Sequence, residues 1–458
     1  MEKSLKIASP FLILALAFLL RIYGLNQSLW LDEAISATVV KNHSYSYIWS
    51  VFVLSDTHPP LYYILLKFWS GIFGYWEIAL RLPSVFFGLA TVYFVYRITI
   101  EFDKKAAFLA GLLAATSGLL IYYSQEVRAY SLTTFLVALL ALLFLKRKWI
   151  PFSLTLLILA LIDYLPLIII LVFWLCAFIV GQKKLLVKLG ASYLPLILFA
   201  IWWYPVFWVQ KSSTLEYLEK FPAWGSVLGD SSLKNMGLVG AKFILGRISF
   251  DDPLIYASVV LFCLATWLFI LTRSLKKAYI FLWLWAIVPV TALFVIGFFT
   301  PGFSYFRLIF ALPPLYVLLA IGVYRFKSTN LRLKAAILLL TINISSSFYY
   351  LFNTNFWRED WRQLVFIIEE RLKGGEMVMV SYAEPFAPYV WYAKEPRRIV
   401  PFSREKAGAV SSLYTLDYLS DLTDLEGKNT AILKNLGFSE ENIYNFRGTG
   451  QVRYWVRR

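Results

Sequence analysis

Residues 106–148, AAFLAGLLAATSGLLIYYSQEVRAYSLTTFLVALLALLFLKRK, carry two apolar runs, 106–123 and 129–145, separated only by the turn Ser124-Gln125-Glu126-Val127-Arg128. A helix needs about 20 mostly apolar residues to cross a bilayer, and both runs approach that length. Lys104 and Lys105 stand before the first run, and Lys146-Arg147-Lys148 follows the second. Basic residues accumulate on the cytoplasmic side of membrane proteins. The stretch therefore predicts a membrane hairpin with both basic ends in the cytoplasm and Glu126 and Arg128 at the outer membrane surface.

The same pattern extends in both directions. Spans are predicted near 7–24, 80–100, 149–162, 165–181, 186–207, 254–272, 278–299, 308–325 and 333–352, which with the hairpin makes about eleven. The apolar segment 59–73 is ambiguous, and parity settles it. If it does not cross, the clusters Lys3/Lys6, Lys104/Lys105, Lys146/Arg147/Lys148, Lys183/Lys184/Lys188, Arg273/Lys276/Lys277 and Arg325/Lys327/Arg332/Lys334 all share one side. If it crosses, every later cluster lands opposite Lys3 and Lys6. Segment 59–73 is therefore expected as a short helix at the outer face, opened by Pro59-Pro60, because proline is tolerated in a first turn. The N-terminal run, preceded by Lys3 and Lys6, reads as an uncleaved anchor with a cytoplasmic N-terminus.

Composition agrees. Of 458 residues 59% are hydrophobic and only 16% charged, against roughly a quarter charged in an average soluble domain. A disordered chain, a disulfide scaffold and an ordinary soluble enzyme are excluded. Cys176 and Cys263 lie inside apolar runs and have no C-x-x-C spacing, and two histidines cannot build a histidine-rich metal site. The net charge of +16 sits largely in the short cytoplasmic clusters, so it reads as topology and not as nucleic-acid binding. The expected fold class is a polytopic α-helical integral plasma membrane protein. Residues 1–352 form the transmembrane domain. Residues 353–458 are charged and turn-rich, long enough for one small extracytoplasmic α/β domain, with a helix over 359–372, a strand over 376–381, a helix near 385–394 and a last strand near 451–456.

Chemistry is expected in the outer loops 25–79, 124–128, 208–253 and 300–307. The first loop carries Trp30-Leu31-Asp32-Glu33-Ala34 and then Ser55-Asp56-Thr57-His58-Pro59-Pro60; the second carries Glu126, Arg128 and Tyr130; the last ends at Arg307. Charges beside hydrocarbon are costly and usually functional. Each has a plain structural alternative: Asp32 as a helix N-cap with Glu33 favouring the dipole, His58 as a turn residue, Arg128 and Arg307 snorkelling to headgroups. Together they place carboxylates, which can act as bases, beside cations, which can hold a phosphate at headgroup depth.

Leu29-Trp-Leu-Asp32-Glu33-Ala34, His58-Pro-Pro-Leu-Tyr62, Arg81-Leu-Pro-Ser84 and Gln125-Glu126-x-Arg128-x-Tyr130, in this order, resemble the family-39-type glycosyltransferases of the GT-C superfamily, relatives of the protein O-mannosyltransferases and the lipid A aminoarabinose transferases. The resemblance covers about residues 7–145 and extends loosely to Trp357-Arg-Glu-Asp-Trp361-Arg362. It implies a GT-C fold and an inverting transfer of one sugar from a polyprenyl-phosphate-linked donor to a glycan, lipid or protein acceptor on the extracytoplasmic face. It further implies Asp32 as catalytic base with Glu33 as its adjacent acid, and His58, Glu126, Arg128, Tyr130 and Arg307 as substrate contacts. Relatives often carry His-Tyr where this chain has Asp163-Tyr164, which leaves the acceptor environment and any divalent metal cation open. The competing class is a transporter or lipid flippase, which calls for ionisable residues near the bilayer midplane and matching broken helices.

Overall fold

The computed structural model describes residues 2–381 and 386–458. Helices occupy every predicted span: α1 (Glu2–Ile22), α4 (Glu77–Phe102), α5 and α6 (Ala107–Ala115 and Gly118–Ser124), α7 (Tyr130–Leu145), α8 (Trp149–Ala160), α9 (Ile169–Val180), α10 and α11 (Lys183–Ser192 and Leu194–Lys220), α13 (Pro253–Thr272), α14 (Ile280–Ile296), α15 (Pro313–Tyr324) and α16 (Thr329–Phe352). Among the described residues five helical stretches are long and apolar enough to cross a membrane, or six if the bent pair α5–α6 is one span. The others are shorter, so the expected eleven crossings do not follow from helix length. Large apolar side chains stand exposed around the bundle, among them Ile150, Phe178, Leu254 and Phe299. In water such a surface would drive aggregation; in hydrocarbon it is the stable surface, and the protein is an integral membrane protein.

The loops are more ordered than expected. The first contains α2 (Leu31–Asn42) and α3 (Leu61–Phe73); α3, at 13 residues, is shorter than a span. The segment 208–253, expected as a loop, is largely helical: α11 continues to Lys220, and α12 covers Leu233–Leu245. The apolar signal stops near Trp208 while helix-forming residues continue, so hydropathy ended the element too early.

The sequence reads 106–123 as one span, yet it is bent by 57° between α5 and α6. Breaking a helix frees its last carbonyls, and buried side chains capture them. Asn343 donates to Leu113 O (2.9 Å), Arg21 to Ala114 O (3.4 Å) and Ala115 O (3.0 Å), and Ser347 to Thr116 O (2.6 Å). Ser117 caps the restarted helix at Leu120 N. Gly246, at φ +70°, presses on the break; a Cβ there would come within 3.0 Å of Gly118 C. The turn that follows α6 meets the first loop: Glu126 accepts from Trp30, Val127 N donates to Glu33, and Arg128 lies 3.6 Å from Asp32.

After α16 the chain forms α17 (Trp361–Arg371), β1 (Val378–Val380), α18 (Ala387–Tyr392), β2 (Ile399–Pro401), β3 (Ser412–Leu416), α19 (Lys428–Asn435), β4 (Phe438–Asn445) and β5 (Gln451–Arg457). The sheet order is β2-β1-β3-β5-β4, with β1 parallel to β2 and β3 and β5 antiparallel to β3 and β4. Strands β2, β3 and β4 were not expected. Part of the helix expected near 385–394 lies outside the described residues. Leu31, from α2, is buried in the core of this layer with Trp361, Leu364 and Phe386, so the sheet docks on the end of the bundle that carries Asp32.

Candidate functional site

Trp30, extended at φ −87° and ψ 177°, is the N-cap of α2. Asp32 is therefore not the cap but a first-turn residue. A helix turns about 100° per residue, so Asp32 and Glu33 point apart, and they have unlike surroundings.

Glu33 is fully buried. Arg81 grips it with two parallel bonds, Nε to Oε1 at 2.8 Å and Nη2 to Oε2 at 2.5 Å. Val127 N donates to Oε1 at 2.8 Å and Trp30 N to Oε2 at 3.4 Å. Arg358, from the segment after α16, approaches Oε2 at 3.4 Å. Burial opposes the charge on Glu33, but Arg81 and Arg358 outweigh it and hold the carboxyl below its usual range. Arg81 also donates to the carbonyls of Leu25, Gln27 and Ser28, stapling the first loop to α4.

Glu126, expected at the membrane surface, is buried instead, because α2 and the segment after α16 cover its turn. Trp30 Nε1 donates to Oε1 at 2.9 Å, and Arg358 Nη2 lies 3.7 Å from Oε2. Burial, reinforced by Glu33 and opposed by Arg358, pushes its carboxyl up to about 7.

The rim is different. Asp32 keeps 32% of its side chain exposed, and its one ion-pair contact among the described residues is Arg128 Nη2 at 3.6 Å. Arg128, Ala129 and Tyr130 line a small cavity with His58, Tyr62, Tyr63, Ile162 and Asp163. His58 is aimed by Asp56, whose Oδ1 lies 3.2 Å from Nδ1. Thr57 N and the Tyr63 hydroxyl also donate to Asp56. Burial disfavours charge on Asp56, but His58, with Arg128 and Tyr63, holds its carboxyl down at about 2. The imidazole is thus oriented through Nδ1, and Nε2 has no hydrogen-bond partner among the described residues.

Tyr130 feels the charges of Arg128, Asp32 and Arg307. Its ring meets Tyr123 at 5.1 Å and Phe306 at 5.8 Å. Arg247, which follows Gly246, lies 4.6 Å from the centre of the Tyr122 ring and bonds the Tyr123 hydroxyl. Lys242 Nζ to Ile248 O at 2.7 Å fixes that turn. Neither Arg247 nor Arg307 has a carboxylate within ion-pair distance among the described residues.

The structure thus gathers Asp32, Arg128, Tyr130 and Arg307 at one rim, with His58 in the adjoining cavity, and sets Glu33 and Glu126 beneath it. Asp56, Arg247 and Arg358 join the site beyond the residues expected from the sequence. The Asp-x-His pair was legible locally. Arg247 had no motif, and only its glycine-arginine turn after an apolar run hinted at it. Among the described residues no three His, Cys, Asp or Glu side chains converge as metal ligands.

No protein-family model and no curated protein sequence matches the chain. Solved structures do. ArnT from Cupriavidus metallidurans superposes with a TM-score of 0.59 in the apo state and 0.61 bound to undecaprenyl phosphate, at 10% and 11% identity, over 99% of this chain and 98% of each ArnT chain. Archaeal oligosaccharyltransferase AglB from Archaeoglobus fulgidus, in complex with an inhibitory peptide and a dolichol-phosphate, gives 0.55 at 14% identity, over 98% of this chain and 74% of AglB. The chain has the GT-C fold. In this GT-C fold the likeness runs through the bundle and the C-terminal sheet together, since nearly the whole chain is covered.

Proposed function

We propose that the protein is an inverting glycosyltransferase that moves one sugar from a polyprenyl-phosphate-linked donor to a hydroxyl or amine of a glycan, lipid or protein acceptor. The observation that carries this reading is the rim itself: a partly exposed carboxylate 3.6 Å from the Arg128 guanidinium, with Arg307 and Arg247 around the adjoining tyrosines and neither in ion-pair reach of a carboxylate among the described residues. Unpaired cations beside hydrocarbon suit an anion, and a lipid phosphate is the anion available at that depth. That ArnT, with this fold, binds undecaprenyl phosphate supports the same choice.

In the reaction Asp32 takes the acceptor proton as the acceptor oxygen or nitrogen bonds to the anomeric carbon. The bond from that carbon to the phosphate oxygen breaks on the opposite face, so the configuration inverts and the lipid phosphate leaves. A positioned general base contributes about 10²–10⁴ in rate. Arg128, Arg247 and Arg307, with His58 from the adjoining cavity, stabilise the charge gathering on the phosphate, commonly the larger contribution. The leaving phosphate is a stable anion and needs no strong acid. Glu33 and Glu126 are positioning residues in this scheme, and Tyr130 walls the site. The rim faces the extracytoplasmic side, opposite the basic clusters, and about eleven crossings reconcile those clusters.

The test is transfer in lipid nanodiscs from a panel of undecaprenyl- and dolichyl-phosphate-linked hexoses and pentoses, comparing the wild type with Asp32→Asn. Transfer lost only in the variant supports the reading. Lipid translocation without transfer by either protein makes the chain a flippase and rejects it.

A further inference from the structure

The ion cluster beneath the rim has one outlying member. Glu33 and Arg81 come from α2 and α4, and Glu126 from the turn after α6, whereas Arg358 follows α16 in the segment leading to the sheet. We infer that Arg358 is a positioning residue that balances Glu33 and Glu126 together and thereby joins the helix bearing Asp32 to the turn bearing Arg128. The consequence for turnover rests on the reading of Asp32 as the base.

Arg81 alone already meets Glu33 in bidentate fashion. Glu126 has only an indole N–H on Oε1, and its Oε2 receives no hydrogen bond among the described residues. The charged groups facing Glu126 are Glu33 from α2, Arg128 on its own turn, Arg247 after α12 and Arg358. Of these cations only Arg358 comes within ion-pair distance. Its side chain is 2% exposed, so water cannot replace it. A buried carboxylate without a cation gives up its charge.

The links to the rim are short. Glu126 accepts from Trp30, two residues before Asp32, and stands two residues before Arg128. Glu33 follows Asp32 directly and binds the backbone of Val127, next to Arg128. Arg358 is itself fixed: its N–H donates to Gln27 Oε1 at 2.7 Å, its carbonyl accepts from Arg447 Nε at 3.1 Å, and its guanidinium lies 4.5 Å from the Tyr122 ring centre. The segment after α16 therefore supplies the cation in ion-pair reach of Glu126 among the described residues, and Arg447, between β4 and β5, holds its backbone in place.

Removing Arg358 leaves Glu126 neutral at low pH and unpaired once it ionises. Its folded pKa, already raised, rises further, so the stability given by the protonated form is lost as pH climbs through and above neutrality. A purely packing role would show no such dependence. The experiment measures melting temperature and transfer rate in nanodiscs from about pH 6 to about pH 9 for the wild type, Arg358→Met, Glu126→Gln and the double variant. Arg358→Met is expected to lose melting temperature progressively on the alkaline side, with turnover falling ~10-fold or more relative to the wild type across that range. Adding Glu126→Gln is expected to abolish that pH dependence in both readouts. Losses that are flat with pH, or that Glu126→Gln leaves unchanged, overturn the inference. Failure of the proposed function shows separately, as no transfer by the wild type, and the melting curves then decide the charge-balancing claim by themselves.

Discussion

Asp32 and Glu33 are neighbours in the chain and opposites in the structure. Glu33 belongs to a dry cluster with Arg81, Arg358 and Glu126, in which each charge faces an opposite one. Asp32 belongs to an open rim with Arg128, and near it Arg247 and Arg307 meet aromatic rings but no carboxylate within ion-pair distance among the described residues. Buried charges paired with one another fix geometry and are closed to a substrate. Underpaired, partly exposed charges cost stability and are available for binding and proton transfer. Surroundings, which spacing alone does not reveal, set the two adjacent acids apart: Glu33 is enclosed by cations, and Asp32 is open to a ligand.

The contrast breaks most visibly in rate. Asp32→Asn is expected to lower transfer by about 10²–10⁴ while leaving the melting temperature unchanged; a large stability loss would move Asp32 into the structural class. Glu33→Gln should act first on stability. Breaking a buried pair typically costs about 3–5 kcal/mol, so thermal melting in nanodiscs should drop well below the wild type, and an unshifted melting curve would contradict the role given to the cluster. Arg247→Ala and Arg307→Ala sharpen the rim: each should weaken undecaprenyl phosphate binding by about 10-fold, the lower end for a charge-assisted hydrogen bond, with melting unaffected. The smallest effect concerns Glu359. Burial, with Asp32 nearby, pushes its carboxyl up to about 7 despite hydrogen bonds from Trp361 and Tyr418. A raised carboxyl stabilises the fold in its protonated form, so that contribution fades as pH rises from the ordinary carboxylate range to about 7. Glu359→Gln should flatten that part of the melting-temperature profile, and an unchanged slope would argue against the assignment.

Much of the fold was legible because hydrocarbon demands continuous apolar runs, and each such run became a helix. The boundaries failed where helix and apolarity part company, as at α11, which runs on to Lys220. The bend between α5 and α6 was hidden because its freed carbonyls are met by Arg21, Asn343 and Ser347, residues remote in sequence. In the site, Asp32, Arg128, Tyr130 and Arg307 were legible as charged or polar groups at span ends, and the structure brings them together. Glu126 was expected at the surface and is buried, because a turn's exposure depends on what docks over it. Arg358 could be located in sequence but not understood there, since its partners lie on two loops far upstream.

The central claim is that the rim holds a lipid phosphate within reach of Asp32. A cryo-electron microscopy map of the full chain in nanodiscs with undecaprenyl phosphate tests it most directly. Phosphate density is expected hydrogen-bonded to Arg247, Arg307 or Arg128, with Asp32 facing the oxygen that would carry the sugar. Phosphate density at the opposite end of the bundle, among the lysine clusters, or at the rim but turned away from Asp32, would contradict it.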